Sequence, residues 1–362
     1  MKIAIIGMPV SGKTTVFNAL TGGSVEVAGR SPVLAPRTGV AKVSDPRLVV
    51  LQDIFQPKRV VPAEVAYTDI AGSPKSFGKQ APGGEFLNYL ITADAMLQVV
   101  RTFADESVPH PEGSIDPQRD MSALDLELAI SDLVIMERRL EKLEASLKGA
   151  TASERQELLK EQVLLQRVKA ELDRDIPVRD QNLAAEELKM LSNYQFLTAK
   201  PMLAVLNVGE DQVAAVSQME QEIGALYPQF AVAAFCGKLE MDLGQLSDAD
   251  AGEFRESMRL SVAALNRVID LSYSLLGLIS FFTTASAELK AWTVPSGTPA
   301  LKAAGKVHTD MERGFIRAEV IGFDDLQSCG STAEARKRGL LKTEGKSYVI
   351  QDGDVVTFLF NV

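Results

Sequence analysis

Met1-Lys2-Ile3-Ala4-Ile5-Ile6-Gly7-Met8-Pro9-Val10-Ser11-Gly12-Lys13-Thr14-Thr15 is the stretch whose reading decides the fold. Residues 3–6 are a short, wholly apolar run, as expected of a strand buried on both faces. Directly after it, Gly7, Gly12, Lys13 and Thr14 satisfy the pattern G-x-x-x-x-G-K-[ST]. Residues 14–20 then take up a helical pattern, so the motif stands between strand and helix, as its mechanism requires. The glycines let the backbone curl until successive N–H groups point at phosphate oxygens. Lys13 suits the β- and γ-phosphates and the Thr14 hydroxyl suits Mg2+. The helix start adds its positive end to the same anion. The spacing assigns Gly7, Pro9, Val10, Ser11, Gly12, Lys13, Thr14 and Thr15 to a nucleotide-phosphate cradle, with Lys13 also in a catalytic role.

The next signal outward is Tyr67-Thr68-Asp69-Ile70-Ala71-Gly72. A strand over residues 63–67 delivers Asp69 and Gly72 in the order D-x-x-G, the switch that senses a γ-phosphate in P-loop proteins. Asp69 is expected to hold Mg2+ through water, and the Gly72 N–H to contact the phosphate. In Ras-like enzymes a glutamine directly after this glycine orients the attacking water. Here the residue is Ser73, whose side chain is too short, so slow intrinsic turnover is expected.

A guanine reader of this class carries N-K-x-D after a late strand. After the apolar run 202–206 the chain has Asn207-Val208-Gly209-Glu210. Asn207 is retained and expected at the purine N7, Val208 replaces the lysine, and Glu210 carries its carboxylate one methylene further out. Guanine preference should weaken, because a site built to pair two donors discriminates only while its geometry is kept. Cys236 and Gly237, after the run 231–235, are expected to complete the base pocket.

Strand-like runs at 3–6, 65–67, 95–100, 202–206 and 231–235 alternate with helical patterns, which predicts a mostly parallel sheet covered on both faces. Residues 1–118 and 178–275 form this nucleotide-binding domain. Between them Leu133, Met136, Leu140, Leu143 and Leu147, then Leu158, Leu165, Val168 and Leu172, recur at helical spacing with Glu, Lys and Arg between. Gly149-Ala150-Thr151 divides the runs, so 119–177 reads as an inserted coiled-coil hairpin. From 276 to 362 strands are expected at 292–294, 314–320, 348–350 and 355–360, in a small α+β domain.

Composition narrows the classes further. The 362 residues are 46% apolar and 24% charged, and Lys+Arg 38 against Asp+Glu 48 gives a net charge of −10. That sign disfavours holding nucleic acid by bulk charge, and no sequence-specific DNA binding is expected. One basic face remains compatible with it, and His308, Lys302, Lys306, Arg313 and Arg317 are candidates. The two cysteines, Cys236 and Cys329, have no metal or disulfide spacing. The first apolar run is too short for a signal peptide and no run reaches the ~18 residues of a membrane span. A cytoplasmic protein without a membrane partner is expected.

Taken together, these motifs resemble the YchF family of Obg-related P-loop NTPases, also called Obg-like ATPases. The likeness rests on the P-loop, Asp69–Gly72, Asn207–Glu210, Pro36-Arg37-Thr38-Gly39, Asp45-Pro46-Arg47-Leu48, Ala291-Trp292-Thr293, His308 to Ile316, and the tail Asp352-Gly353-Asp354…Phe358-Leu359-Phe360-Asn361-Val362. It implies a G domain interrupted by a helical arm and followed by a TGS-type β-grasp domain. It also implies Mg2+-dependent hydrolysis of ATP in preference to GTP, with ribosome or RNA partners. His110 matches a family histidine with a proposed catalytic role. Three positions depart from the family. Its P-loop asparagine, linked to potassium dependence, is Val10; its switch threonine falls on Val33, leaving Thr38 as a substitute; and Ser73 replaces a hydrophobic residue. A strict GTPase and a non-hydrolytic, nucleotide-dependent ribosome- or RNA-binding module remain the alternatives.

Overall fold

The structure, a computed structural model, describes residues 1–23, 36–70, 83–257, 263–285 and 287–361. Val33, Gly72 and Ser73 lie outside the described residues. Chain contacts divide the protein into two units, Met1–Gly39 with Ala66–Leu265, and Val40–Val65 with Asn266–Val362.

The first unit is built on a six-stranded sheet. Its strands are β1 (Lys2–Gly7), β2 (Arg37–Lys42), β4 (Glu64–Asp69), β5 (Ala95–Arg101), β6 (Met202–Asn207) and β7 (Ala231–Phe235). Their order is β2-β4-β1-β5-β6-β7, and β4, β1, β5, β6 and β7 run parallel to one another. Every residue of β5 and of β6 is buried. That is why these strands read as unbroken apolar runs rather than alternating ones. The mostly parallel α/β sheet expected from the sequence is therefore present. With β1 between β4 and β5, the loops after β1 and β6 and the last residue of β4, Asp69, come together at the carboxyl ends of the strands, the usual place for a ligand in such sheets.

Two helices flank this edge early in the chain, α1 (Lys13–Thr21) and α3 (Gly83–Thr92), while α2 (Arg47–Phe55) belongs to the second unit. The long helix α4 (Pro117–Leu147) starts with Asp116, whose carboxylate accepts from the Arg119 N–H, and with Pro117 in the first turn. α5 (Ala152–Leu172) starts with a Thr151–Glu154 capping box. Met136 and Leu143 of α4 pack with Leu165, Val168 and Leu172 of α5, giving the helical hairpin. The hairpin is rooted deeper than 119, because Met121, Leu124 and Leu128 pack with Leu90, Met96 and Val100 in the sheet core. One continuous helix thus serves two cores. At the changeover Asp132 is fully buried and accepts from the N–H groups of Leu197 and Thr198 and from the Thr198 hydroxyl. Burial pushes its carboxyl up to about 6, against the pull of those donors.

The second unit carries another six-stranded sheet. Its strands are β3 (Arg59–Val61), β8 (Leu278–Ala285), β9 (Glu288–Pro295), β10 (Phe315–Gly322), β11 (Lys342–Glu344) and β12 (Asp354–Phe360). They lie in the order β11-β10-β12-β8-β9-β3. Phe281, Phe315 and Phe358 pack beneath the helix Ala300–Val307, whose alanines 300, 303 and 304 allow close approach. Two sequence readings change here. Residues 348–350 are not a strand but make an isolated bridge from Val349 to Pro299, and β8 forms in the apolar stretch 278–285, where no strand was expected. Residues 40–65 also go with this unit. β3 pairs with β9, and Arg47 forks between Asp45 and Asp352 at 2.7–2.8 Å while its guanidinium lies 5.2 Å from the Phe282 ring centroid. Nothing in the local sequence of 40–65 announces β9, Phe282 or Asp352 as partners, all more than 200 residues distant. No helix among the described residues is long and apolar enough to cross a membrane.

Candidate functional site

The loop after β1 has a backbone that two positions can take only as glycine. Gly7 has φ +152°, and a Cβ there would lie 2.4 Å from the Val99 carbonyl oxygen. Gly12 has φ +88°, and its Cβ would lie 2.2 Å from Asn207 Nδ2. Val10 also adopts a left-handed conformation, φ 58°, and is 43% exposed. For a β-branched side chain this is strained, and it falls at the position where the resemblance expects asparagine, which tolerates that conformation.

Lys13 folds back over the loop, its ammonium donating to the carbonyls of Gly7 and Met8 at 3.0 Å each. Burial brings its pKa down to about 8, opposed by the Asp69 carboxylate. Asp69, the last residue of β4 rather than a residue beyond it, accepts from the Thr14 hydroxyl at 2.8 Å. The two residues expected at Mg2+ therefore touch. A hydroxyl paired with a buried carboxylate beside a phosphate cradle is a suitable donor set for a hard divalent cation. The Thr38 and Thr68 hydroxyls lie 3.2 Å apart. Ser11 Oγ is buried with no hydrogen-bond partner among the described residues.

A cavity of about 810 Å3 opens here, within the ~300–1,000 Å3 usual for small-molecule sites. Val10, Gly12, Lys13, Thr14 and Thr15 line it at one end, and Asn207, Val208, Glu210 and Cys236 at the other. Gly7, Pro9, Ser11 and Gly237 are not in its lining. Gly7 and Ser11 shape the loop, and Gly237 bonds behind it.

The fold holds Asn207, Val208 and His110 through partners that the sequence did not indicate. Asn207 is 4% exposed; its Nδ2 donates to the Ser11 carbonyl at 3.0 Å and its Oδ1 accepts from the Gly237 N–H at 3.1 Å. One N–H and one oxygen lone pair of the amide tie three loops together, so Asn207 is a brace, and its second N–H is left over at the cavity lining, where N7 was expected. Val208 turns its side chain into the sheet core, leaving the backbone alone at the cavity. His110, expected in catalysis, does not line the cavity. Its ring is 4% exposed, with Nε2 2.9 Å from Asp120 Oδ2 and Nδ1 accepting from the Glu112 N–H. With both nitrogens engaged it has no free atom for a water. Glu210 is exposed and paired with Lys238 at 2.9 Å. Burial pushes the Cys236 thiol up.

The sequence reading missed the wall formed by Phe103, Ala104, Asp105 and Val108. Arg101 shapes it: its guanidinium donates to the carbonyls of Phe103 and Val108 and stacks 4.4 Å from the Phe103 ring centroid. Thr102 and Gln212 fix the neighbouring loop, Gln212 bridging the Thr102 carbonyl and the Gly209 N–H. A buried arginine ending an apolar strand was the one available signal. In the second unit the candidate basic face is partly neutralised, Lys302 pairing with Glu312, while His308 Nδ1 accepts from the Asp310 N–H.

Comparison with known proteins agrees with this geometry. Residues 2–136 match the MMR_HSR1 family model, described as a 50S ribosome-binding GTPase. Residues 278–361 match the YchF-GTPase_C model, described as a protein of unknown function (DUF933). The chain is 37% identical over 365 residues to the ribosome-binding ATPase YchF of Escherichia coli O157:H7, covering 100% of this chain and 99% of that one. It is 36% identical over 366 residues to the protein of the same name from Bacillus subtilis (strain 168), covering 99% and 98%. The solved structure of the Schizosaccharomyces pombe YchF GTPase superposes with a TM-score of 0.85 at 29% identity, over 99% of this chain and 97% of that one.

Proposed function

This chain belongs to the YchF family, and on that premise we propose that it is a cytoplasmic nucleotide switch that hydrolyses ATP, and GTP less well, and acts on the ribosome or its RNA. The observation that carries the nucleotide part is the juxtaposition at one cavity of the Lys13 ammonium, the glycine-shaped loop and the Thr14–Asp69 pair. The Lys13 ammonium has a third N–H beyond the two that the Gly7 and Met8 carbonyls take, and this donor with its full charge suits the phosphate oxygens. Mg2+ held by Thr14 and Asp69 would supply charge neutralisation at the β- and γ-phosphates. Loop amides and the start of α1 orient the triphosphate and shield it from bulk water. The partner follows from the relatives, which are named ribosome-binding ATPases.

Calorimetric titration with ATP, GTP and the diphosphates, with and without Mg2+, tests this reading. Mg·ATP should bind tighter than Mg·GTP, and Lys13→Ala should weaken the triphosphate at least 100-fold, about 2.7 kcal/mol for one charge-assisted anchor. Absence of binding by any purine triphosphate sinks the proposal, as does a tenfold preference for GTP. Ribosome co-sedimentation in the ATP and ADP states tests the partner, and equal pelleting in both states removes the switch.

The buried, doubly engaged His110 favours a second reading, a nucleotide-dependent binding module with little turnover. A single-turnover assay separates the two. Fast hydrolysis by the isolated protein eliminates the module.

A further inference from the structure

The base end of the cavity carries an ion pair that the phosphate chemistry does not need. Lys238 Nζ lies 2.9 Å from Glu210 Oε1, and both side chains line the cavity while remaining largely exposed. Glu210 begins the turn Glu210–Ala215 after β6, and Lys238 stands second in the helix Gly237–Leu243 after β7. The pair therefore links the two loops that wall the base. Its hydrogen bond to Glu210 holds the Lys238 ammonium above the usual lysine range, so the group stays a cation at any working pH.

A guanine ring offers two adjacent N–H donors, N1–H and N2–H, and a free carboxylate three residues after Asn207 is the group that accepts both. Adenine offers one donor, N6–H, beside an acceptor, N1. An ammonium has donors only. A carboxylate already holding an ammonium is a poorer acceptor for guanine, and the ammonium itself would face guanine donors with donors of its own. Toward adenine the same ammonium meets the N1 acceptor. Asn207 has one N–H left beyond its bond to the Ser11 carbonyl, and that donor suits N7, which both purines share; the Val208 side chain lies in the core. Of the other acidic residues in the lining, Asp105 accepts from the Ser107 N–H and hydroxyl, and Asp242 adds negative charge around Lys238.

We propose that Lys238 is a specificity-determining residue: by occupying Glu210 it turns the base pocket from guanine toward adenine. This rests on the purine-triphosphate reading of the same cavity. The relevant quantity is the ratio of ATP to GTP affinity, because a change confined to the phosphate end moves both equally.

The test titrates Mg·ATP and Mg·GTP into the full chain, into Lys238→Ala, and into Lys238→Ala combined with Glu210→Gln. Removing Lys238 should lower the ATP/GTP affinity ratio by about fivefold or more, mainly through tighter GTP, the scale of one charge-assisted hydrogen bond regained at an open site. The double variant should return the ratio to within about twofold of the parent, since an amide cannot take two donors as a carboxylate does. A ratio unchanged in Lys238→Ala overturns the proposal. So does a gain that persists in the double variant, which would transfer the role to another acid such as Asp211. If the parent chain binds ATP while either of these outcomes holds, only this inference fails; if the parent binds neither nucleotide, the underlying reading of the cavity fails with it. Both side chains are exposed, and matching thermal unfolding of the three proteins checks that the fold is intact.

Discussion

The two ends of the cavity are made in different ways. The phosphate end comes from one loop of eight residues whose backbone is dictated by Gly7 and Gly12, plus one carboxylate at the end of β4. The base end is assembled from the loops after β5, β6 and β7, held by Arg101, Asn207 and Gln212 and closed by an exposed ion pair. An end that reads a chemically constant group is compact and locally encoded. An end that selects among bases is spread over the chain and can be retuned by single exchanges.

The strongest way to break this division is Asn207→Ala, because Asn207 joins the two ends. Truncation leaves the Ser11 carbonyl and the Gly237 N–H without their partner, at about 2–3 kcal/mol of stability for two buried hydrogen bonds. Urea unfolding measures the loss, and titration should show ATP and GTP weakened together. A variant that loses affinity for one nucleotide alone, with full stability, would falsify the brace.

A change of pH acts on one end only. Burial lowers Lys13 to about 8, so it is charged at pH 7 and loses its proton as pH rises through 8. Triphosphate binding favours the charged form. Affinity should thus be level below pH 7.5 and fall toward tenfold per pH unit above about 8, while adenosine, which lacks phosphates, binds equally at pH 7 and 9. Calorimetry at the two values decides. A flat triphosphate profile means that Lys13 is not the titrating anchor.

The smallest expected effect sharpens the account of the phosphate loop. Val10→Asn relieves a left-handed β-branched residue and removes no core contact, since the side chain is 43% exposed. A gain of about 0.5–1 kcal/mol is expected, read as a raised midpoint of unfolding. Loss of stability on this exchange would show that the valine methyl groups pack productively.

How much was legible follows the same division. The P-loop and Asp69 could be read because each needs its neighbours in sequence and little else. Strands 95–101 and 202–207 could be read because burial on both faces leaves an unbroken apolar run. The helical hairpin showed in its periodicity, yet its root did not. Residues 117–128 are equally helical whether they face α5 or the sheet, and only packing says which. For Asn207 and His110 the sequence showed the chemistry but not the partners. A polar side chain in a motif advertises its chemistry, whereas its hydrogen-bond partners come from elsewhere in the fold.

The sequence by itself determined the phosphate cradle, the parallel sheet and the family, because each depends on local backbone geometry or on the period of apolar residues. Only the tertiary structure decided that Asn207 braces the loops, that Lys238 occupies Glu210, and that residues 59–61 join the C-terminal sheet. These outcomes depend on pairs separated by tens to hundreds of residues. A hydrogen bond or ion pair across such a gap is set by where the folded backbone brings two groups within about 3 Å, and no local pattern records that distance.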